Sequence, residues 1–266
     1  MIAIAFSASL RTGSQFLASL TFYTSLPFFN GLTLEFRRIA RFAPIVGLLM
    51  GALLGILNFG LFQLQMPLPA RMALVLVTWI ALTGGLHLDG AMDTADGLAV
   101  MEPHRRLAVM ADSVTGAFGV MAAIALVLLK YAALLSLPQA FESAPLMQTA
   151  SLMAVAGWGR WGQVLAIARY PYLKPEGKGA FHKREFKNPQ DLWWGLFPLL
   201  GLSAALWGVF PQHWMTALGM TLGGFAIAFS LGEWFNHKLG GHTGDTYGAV
   251  VEWTEALLLC LLTVLS

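Results

Sequence analysis

Apolar runs of roughly twenty residues recur along this chain, near residues 42–63, 72–88, 115–137, 144–168, 192–211, 214–235 and 247–266. A lipid hydrocarbon core is about 30 Å thick and takes about 20 apolar residues per crossing helix. Inside it every backbone N–H and C=O must be paired within the protein, which leaves helices or closed barrels. Barrel strands alternate apolar and polar positions in segments of about ten residues, and these runs do not alternate. The chain therefore reads as all-α, a polytopic transmembrane helical bundle of about seven spans. Composition agrees, with 57% hydrophobic and 11% charged residues where soluble domains carry about 25% charge. A soluble globular enzyme is excluded.

The stretch from Thr12 to Phe29 is apolar but carries several Ser and Thr and ends at Pro27. It fits an interfacial helix, a re-entrant piece or an eighth span. No basic residue precedes the first apolar run, so a cleaved signal is not expected, and no repeat or long linker divides residues 1–266. The chain is read as one integral membrane domain. Its single cysteine, Cys260, lies among leucines, which favours packing over disulfide or metal chemistry.

Net charge is only +2, which gives no reason to expect nucleic acid as a partner. Placement of the charge says more. Arg37, Arg38 and Arg41, then Arg105 and Arg106, then the basic run from Arg169 to Lys187, then Lys238 all fall in alternate loops, whereas the intervening loops hold Arg71 alone. Basic residues collect on the cytoplasmic side of short loops. The rich loops are thus expected on the cytoplasmic face of the inner membrane, with the lipid bilayer as partner; a homo-oligomer is left open.

Three of the six aspartates lie in one run, Asp89-Gly-Ala-Met-Asp93-Thr-Ala-Asp96. On a helix, offsets of four and seven residues fall at about 40° and −20° from the first, so all three carboxylates share one face. Like charges at that spacing repel, and more so near a low-dielectric boundary. A hard divalent cation such as Mg²⁺ or Mn²⁺ would compensate, since carboxylate oxygens suit it and its remaining positions commonly go to water and phosphate. The alternative is a solvated acidic loop. His87, just before Asp89, fits either a phosphate donor or a histidine at a helix end. Asp112 fits a fourth ligand or the N-cap of the next helix.

Two further loops belong to the same face. The segment Arg169-Tyr-Pro-Tyr-Leu-Lys174-Pro-Glu-Gly-Lys178-Gly could clamp a diphosphate, with Lys as compact point charges. Arg160, between Trp158 and Trp161 in an apolar run, needs a partner if buried. Near the C-terminus, Lys238-Leu-Gly-Gly-His242-Thr243-Gly-Asp245 is glycine-dense and leads into a helix bearing Glu252 and Glu255. Such turns cradle anions, which makes Thr243 a substrate-binding candidate.

The stretch Gly84-Gly85-Leu-His87-Leu-Asp89-Gly90-Ala-Met-Asp93-Thr94-Ala95-Asp96-Gly97-Leu98 closely resembles the signature of the adenosylcobinamide-GDP ribazoletransferase (cobalamin synthase) family. Met110-Ala-Asp112-Ser113, Gly159-Arg160-Trp161, Pro175-Glu176-Gly177 and Leu239-Gly-Gly-His-Thr243-Gly244-Asp245 resemble later motifs of that family in the same order. Ala111 and Val114 stand where basic residues are expected. The resemblance implies a Mg²⁺-using membrane transferase that joins adenosylcobinamide-GDP to α-ribazole or its 5′-phosphate and releases GMP, in cobalamin biosynthesis. On that basis Asp89, Asp93 and Asp96, with Asp112, would hold one or two Mg²⁺ ions, while His87, Arg160, Lys174, Lys178 and Thr243 would bind substrate. Asp96 or Asp245 would act as base. Two rivals are a CDP-alcohol phosphatidyltransferase, whose usual spacing differs, and an ion-coupled transporter, whose charges would lie at the midplane.

Overall fold

The computed structural model describes residues 2–26, 32–140, 145–174, 176 and 179–266. Lys178, Pro175, Gly177 and Pro27, named above, lie outside the described residues. Among those described, twelve α-helices follow in order: α1 Ile2–Tyr23, α2 Ala43–Gln63, α3 Leu68–Leu82, α4 Leu86–Ala99, α5 Arg106–Val109 and α6 Ala117–Ala140. They continue with α7 Pro145–Arg169, α8 Ala180–Glu185, α9 Gln190–Val209, α10 Trp214–Leu218, α11 Gly224–Leu239 and α12 Gly244–Leu265. Five helical stretches are long and apolar enough to cross a membrane, and the bent pair α3–α4 makes a sixth. The protein is a multi-pass membrane protein.

Helix α7 sits at the centre and explains the remaining expected span. Its 25 residues reach about 37 Å at 1.5 Å per residue, yet it carries Arg160 and Gln163 and is enclosed by protein along most of its length. The neighbours approach closely because small residues line the contacts, as in membrane bundles generally. Gly47, Gly51 and Gly55 recur every fourth residue on α2, and a methyl on any of them would collide with Ala156, Met153 or Thr149 of α7. On α7 itself, Gly157 faces Leu199 of α9, and Gly159 and Gly162 face Val251 and Val250 of α12.

The run 72–88, expected as one straight span, stops at Leu82 and turns by 84° into α4. Gly84 (φ +59°) and Gly85 (φ +73°) make that turn in the left-handed region, which costs a side-chain-bearing residue energy and glycine almost none. The freed carbonyls at the end of α3 are taken up by Ser25, whose N–H donates to Leu82 O (2.8 Å) and whose Oγ donates to Ala81 O (2.7 Å).

Helix α1 starts at Ile2, ten residues before the stretch expected from the sequence, and is not among the helices apolar enough to cross. Its middle is tied to the start of α2, where Arg41 Nη2 donates to Gln15 Oε1 at 2.6 Å. The Ser25 contacts just beyond it are made at the end of α3. Both anchors are at one end of the bundle.

The basic loops meet there too. Arg37 pairs with Glu185 (3.0 Å), Arg38 with Asp191, and Arg106 Nη1 donates to Lys238 O (2.9 Å). Loops separated by up to about half of the sequence are thereby gathered on one face.

Candidate active site

Helix α4 is mounted across the start of α12 by two glycines. A methyl on Gly90 would strike the backbone of Asp245, and one on Gly248 the backbone of His87. This crossing brings Asp89 and Asp245 to the wall of one cavity of about 140 Å³, whose other walls are Tyr23 of α1, Gln163 of α7, His182 of α8 and Tyr247 of α12. Asp93, one turn after Asp89, lies in the field of Asp89 and Asp245, with Lys174 as the opposing positive charge.

Asp245 is fixed by a loop-to-loop bridge. His242 N–H donates to Pro171 O and Leu173 N–H to His242 O, both at 2.8 Å. That pairing carries the next residue, Lys174, to Asp245, where Nζ donates to Oδ2 at 2.9 Å. Thr243 caps α12: its Oγ1 accepts from Thr246 N–H (3.2 Å) while Thr246 Oγ1 accepts from Thr243 N–H (2.8 Å). Thr243 Oγ1 also donates to Asp245 Oδ2 at 3.2 Å. The ring of His242 is buried between Tyr170 and Tyr247, with ring centroids 5.0 and 5.6 Å away. Burial pushes its pKa down to about 4, so the ring is neutral at pH 7 and acts as structure. Burial likewise holds His182 down, to about 3.

Asp96 departs from its neighbours. Its carboxylate is buried and accepts Gly116 N–H at 2.7 Å and Gly119 N–H at 2.8 Å. It therefore occupies the amide end of α6, the anion position of that helix's dipole. Asp112 does not cap α6; its Oδ1 accepts Val114 N–H at 3.1 Å in an exposed turn. Arg160 is 0% exposed and does not border the cavity. Its Nη1 donates to Glu255 Oε1 (2.8 Å) and Ala156 O (2.9 Å), and Glu255 and Glu252 share Lys130, each at 2.6 Å. The partner that Arg160 needs is thus within the bundle, and Glu252 is joined to Lys130.

His87 is 2% exposed, lines the cavity, and has neither ring nitrogen hydrogen-bonded. Its ring is stacked on Tyr23 (6.4 Å), whose hydroxyl accepts from Gln163 Nε2 (3.3 Å) and meets His182 Nε2 (3.4 Å). Sequence reasoning did not find Tyr23, Gln163 or His182. The signal was weak, because they come from three separate segments that only the folded chain brings together. Lys183, part of the basic run from Arg169 to Lys187, donates to Ile167 O at 2.7 Å near the end of α7.

Among the described residues, no three His, Cys, Asp or Glu side chains converge tightly enough to hold a metal ion as they stand. The donor chemistry nevertheless fits a hard divalent cation. Among the described residues Asp89 and Asp93 have no hydrogen-bonded or ion-paired partner, Asp89 borders the same cavity as Asp245, and Mg²⁺ needs only one or two carboxylates when phosphate and water complete its shell.

Residues 15–263 match the family model for cobalamin-5-phosphate synthase. The chain belongs to this family. It is 55% identical to the adenosylcobinamide-GDP ribazoletransferase of Trichormus variabilis, over 94% of this chain and 96% of that protein. It is 50% identical to the protein of that name from Synechocystis sp., over 91% of each, and 38% identical to that from Desulforamulus reducens, over 92% and 94%. No solved structure matches the chain.

Proposed function

We propose that this chain transfers the adenosylcobinamide phosphoryl group from adenosylcobinamide-GDP to α-ribazole or its 5′-phosphate with release of GMP, a step of cobalamin biosynthesis. Family membership supports the reaction. The observation that carries its placement is the presence of Asp89 and Asp245 on the wall of one cavity, with Lys174 bonded to Asp245 and Asp93 one turn further along α4.

In this reading Asp89 and Asp93 would hold Mg²⁺, which when bound neutralises charge on the diphosphate. Lys174 steadies a phosphate oxygen as a point charge. Asp245 Oδ1, free of the bonds that occupy Oδ2, takes the proton of the attacking ribose hydroxyl. Asp96, with each oxygen on a backbone amide, positions α4 against α6. The positive-inside bias supports a cytoplasmic position for this carboxylate rim at the inner membrane.

The test is GMP release by purified protein in detergent, with adenosylcobinamide-GDP and α-ribazole in one arm and a CDP-lipid with an alcohol acceptor in the other. Release in the first arm alone is expected; turnover of the CDP-lipid alone would overturn the assignment.

A further inference from the structure

At the opposite end of the bundle, α2, α3 and α7 enclose a second cavity, of about 590 Å³. Apolar side chains that face outward, Ile56, Phe59 and Leu146, form much of its wall. Inside it lies Arg71, 7% exposed, with its guanidinium over the ring of Phe62 at 5.0 Å. Its Nε has no hydrogen-bond partner, and among the described residues no carboxylate pairs with it or lines the cavity. The nearby Asn58 is also buried, at 8% exposure, and its Oδ1 is unpartnered while its amide nitrogen donates to Gln148.

The position makes an unpaired cation costlier still. Leu68 begins α3 and Pro145 begins α7, and both border the cavity, so the positive ends of two helix dipoles converge on Arg71. A buried guanidinium and two helix N-termini, with no acid among the described residues, together make an anion site. The outward-facing apolar wall selects an anion that carries hydrocarbon.

We infer that this cavity binds the phosphate headgroup of an anionic phospholipid, with Arg71 and the first turns of α3 and α7 on the phosphate and the acyl chains along Ile56, Phe59 and Leu146. The site is remote from the carboxylate rim and independent of the reaction proposed there.

Native mass spectrometry of the full chain, released from nanodiscs of phosphatidylcholine doped with phosphatidylglycerol, tests this. One retained phosphatidylglycerol per chain is expected for wild type, and loss of that mass for Arg71→Gln. Leu146→Glu supplies an acid from the first turn of α7, where the dipole favours it; it should lose the lipid while keeping its melting temperature, which separates ligand loss from misfolding. Equal retention by wild type and Arg71→Gln would overturn the inference. So would a wild type that retains no lipid but is stabilised by millimolar inorganic phosphate, which would assign the cavity to a free ion. Glu142 precedes Pro145 by three residues in the sequence, and lipid retained only after Glu142→Gln would assign Arg71 to that carboxylate and overturn the inference as well.

Discussion

Lys174 Nζ lies 2.9 Å from Asp245 Oδ2, joining the loop after α7 to the first turn of α12 across 71 residues of sequence. Both side chains are about one quarter exposed, and pairs of that kind contribute at most about 1 kcal/mol. Its value is therefore in placement. Lys174→Gln should lower kcat/KM for the nucleotide-linked substrate by about 10- to 100-fold, equivalent to about 1.4 to 2.7 kcal/mol, with little change in melting temperature. A stability loss matching the activity loss would refute this.

Asp89 and Asp96 should separate cleanly. Asp96→Asn weakens the anion at the start of α6, at a stability cost of about 1–2 kcal/mol, seen as a lower melting temperature. Asp89 is exposed and has no hydrogen-bond partner among the described residues, so Asp89→Asn should leave the melting temperature unchanged. The comparison is read by thermal unfolding of the two variants in the same detergent.

Arg160 should behave as part of a buried charge cluster rather than as a phosphate ligand. Removing one member of such a cluster strands the others, at about 3–5 kcal/mol. Arg160→Met should therefore reduce the yield of folded protein, and a Glu255→Gln, Arg160→Met double variant should recover part of it. An Arg160→Met protein with wild-type stability and a raised KM would place the guanidinium in the substrate site instead.

Stability should fall in mild acid. His242 titrates at about 4 when folded and at about 6.5 when unfolded, so below pH 6.5 the unfolded chain binds a proton the folded one refuses. The stabilisation is complete above pH 6.5 and is lost as pH falls toward 4, by about 1.4 kcal/mol per unit. His182 adds in the same direction. The groups facing His242 are Tyr170, Tyr247, Lys183 and Glu233. Melting curves between pH 7.5 and 5 should slope downward, and His242→Asn, less stable at pH 7.5, should slope less.

Much of this arrangement was legible in the sequence, for stated physical reasons. Hydrocarbon thickness fixes span length, so each of the seven expected runs has a helix at its place. Charge bias in alternate loops put Arg37, Arg106, Lys174 and Lys238 on one face, and their cross-loop bonds follow. Helical spacing placed Asp89, Asp93 and Asp96 on one face of α4. It did not say that the neighbouring helix end would claim Asp96, because that depends on where Gly116 and Gly119 arrive in space. The bend at Gly84 and Gly85 was hidden within an apolar run that hydropathy reads as continuous. Tyr23 stacks on both His87 and His182 only through the docking of α1 and α8, which no local pattern encodes.

The most direct measurement is Mg²⁺-dependent GMP release from adenosylcobinamide-GDP by wild type and Asp89→Asn reconstituted in the same liposomes. Release should rise with Mg²⁺, vanish with chelator, and fall at least about 1,000-fold in the variant, a loss of about 4 kcal/mol of transition-state stabilisation. Near-wild-type release by a folded Asp89→Asn protein, or release that ignores Mg²⁺, would contradict the account.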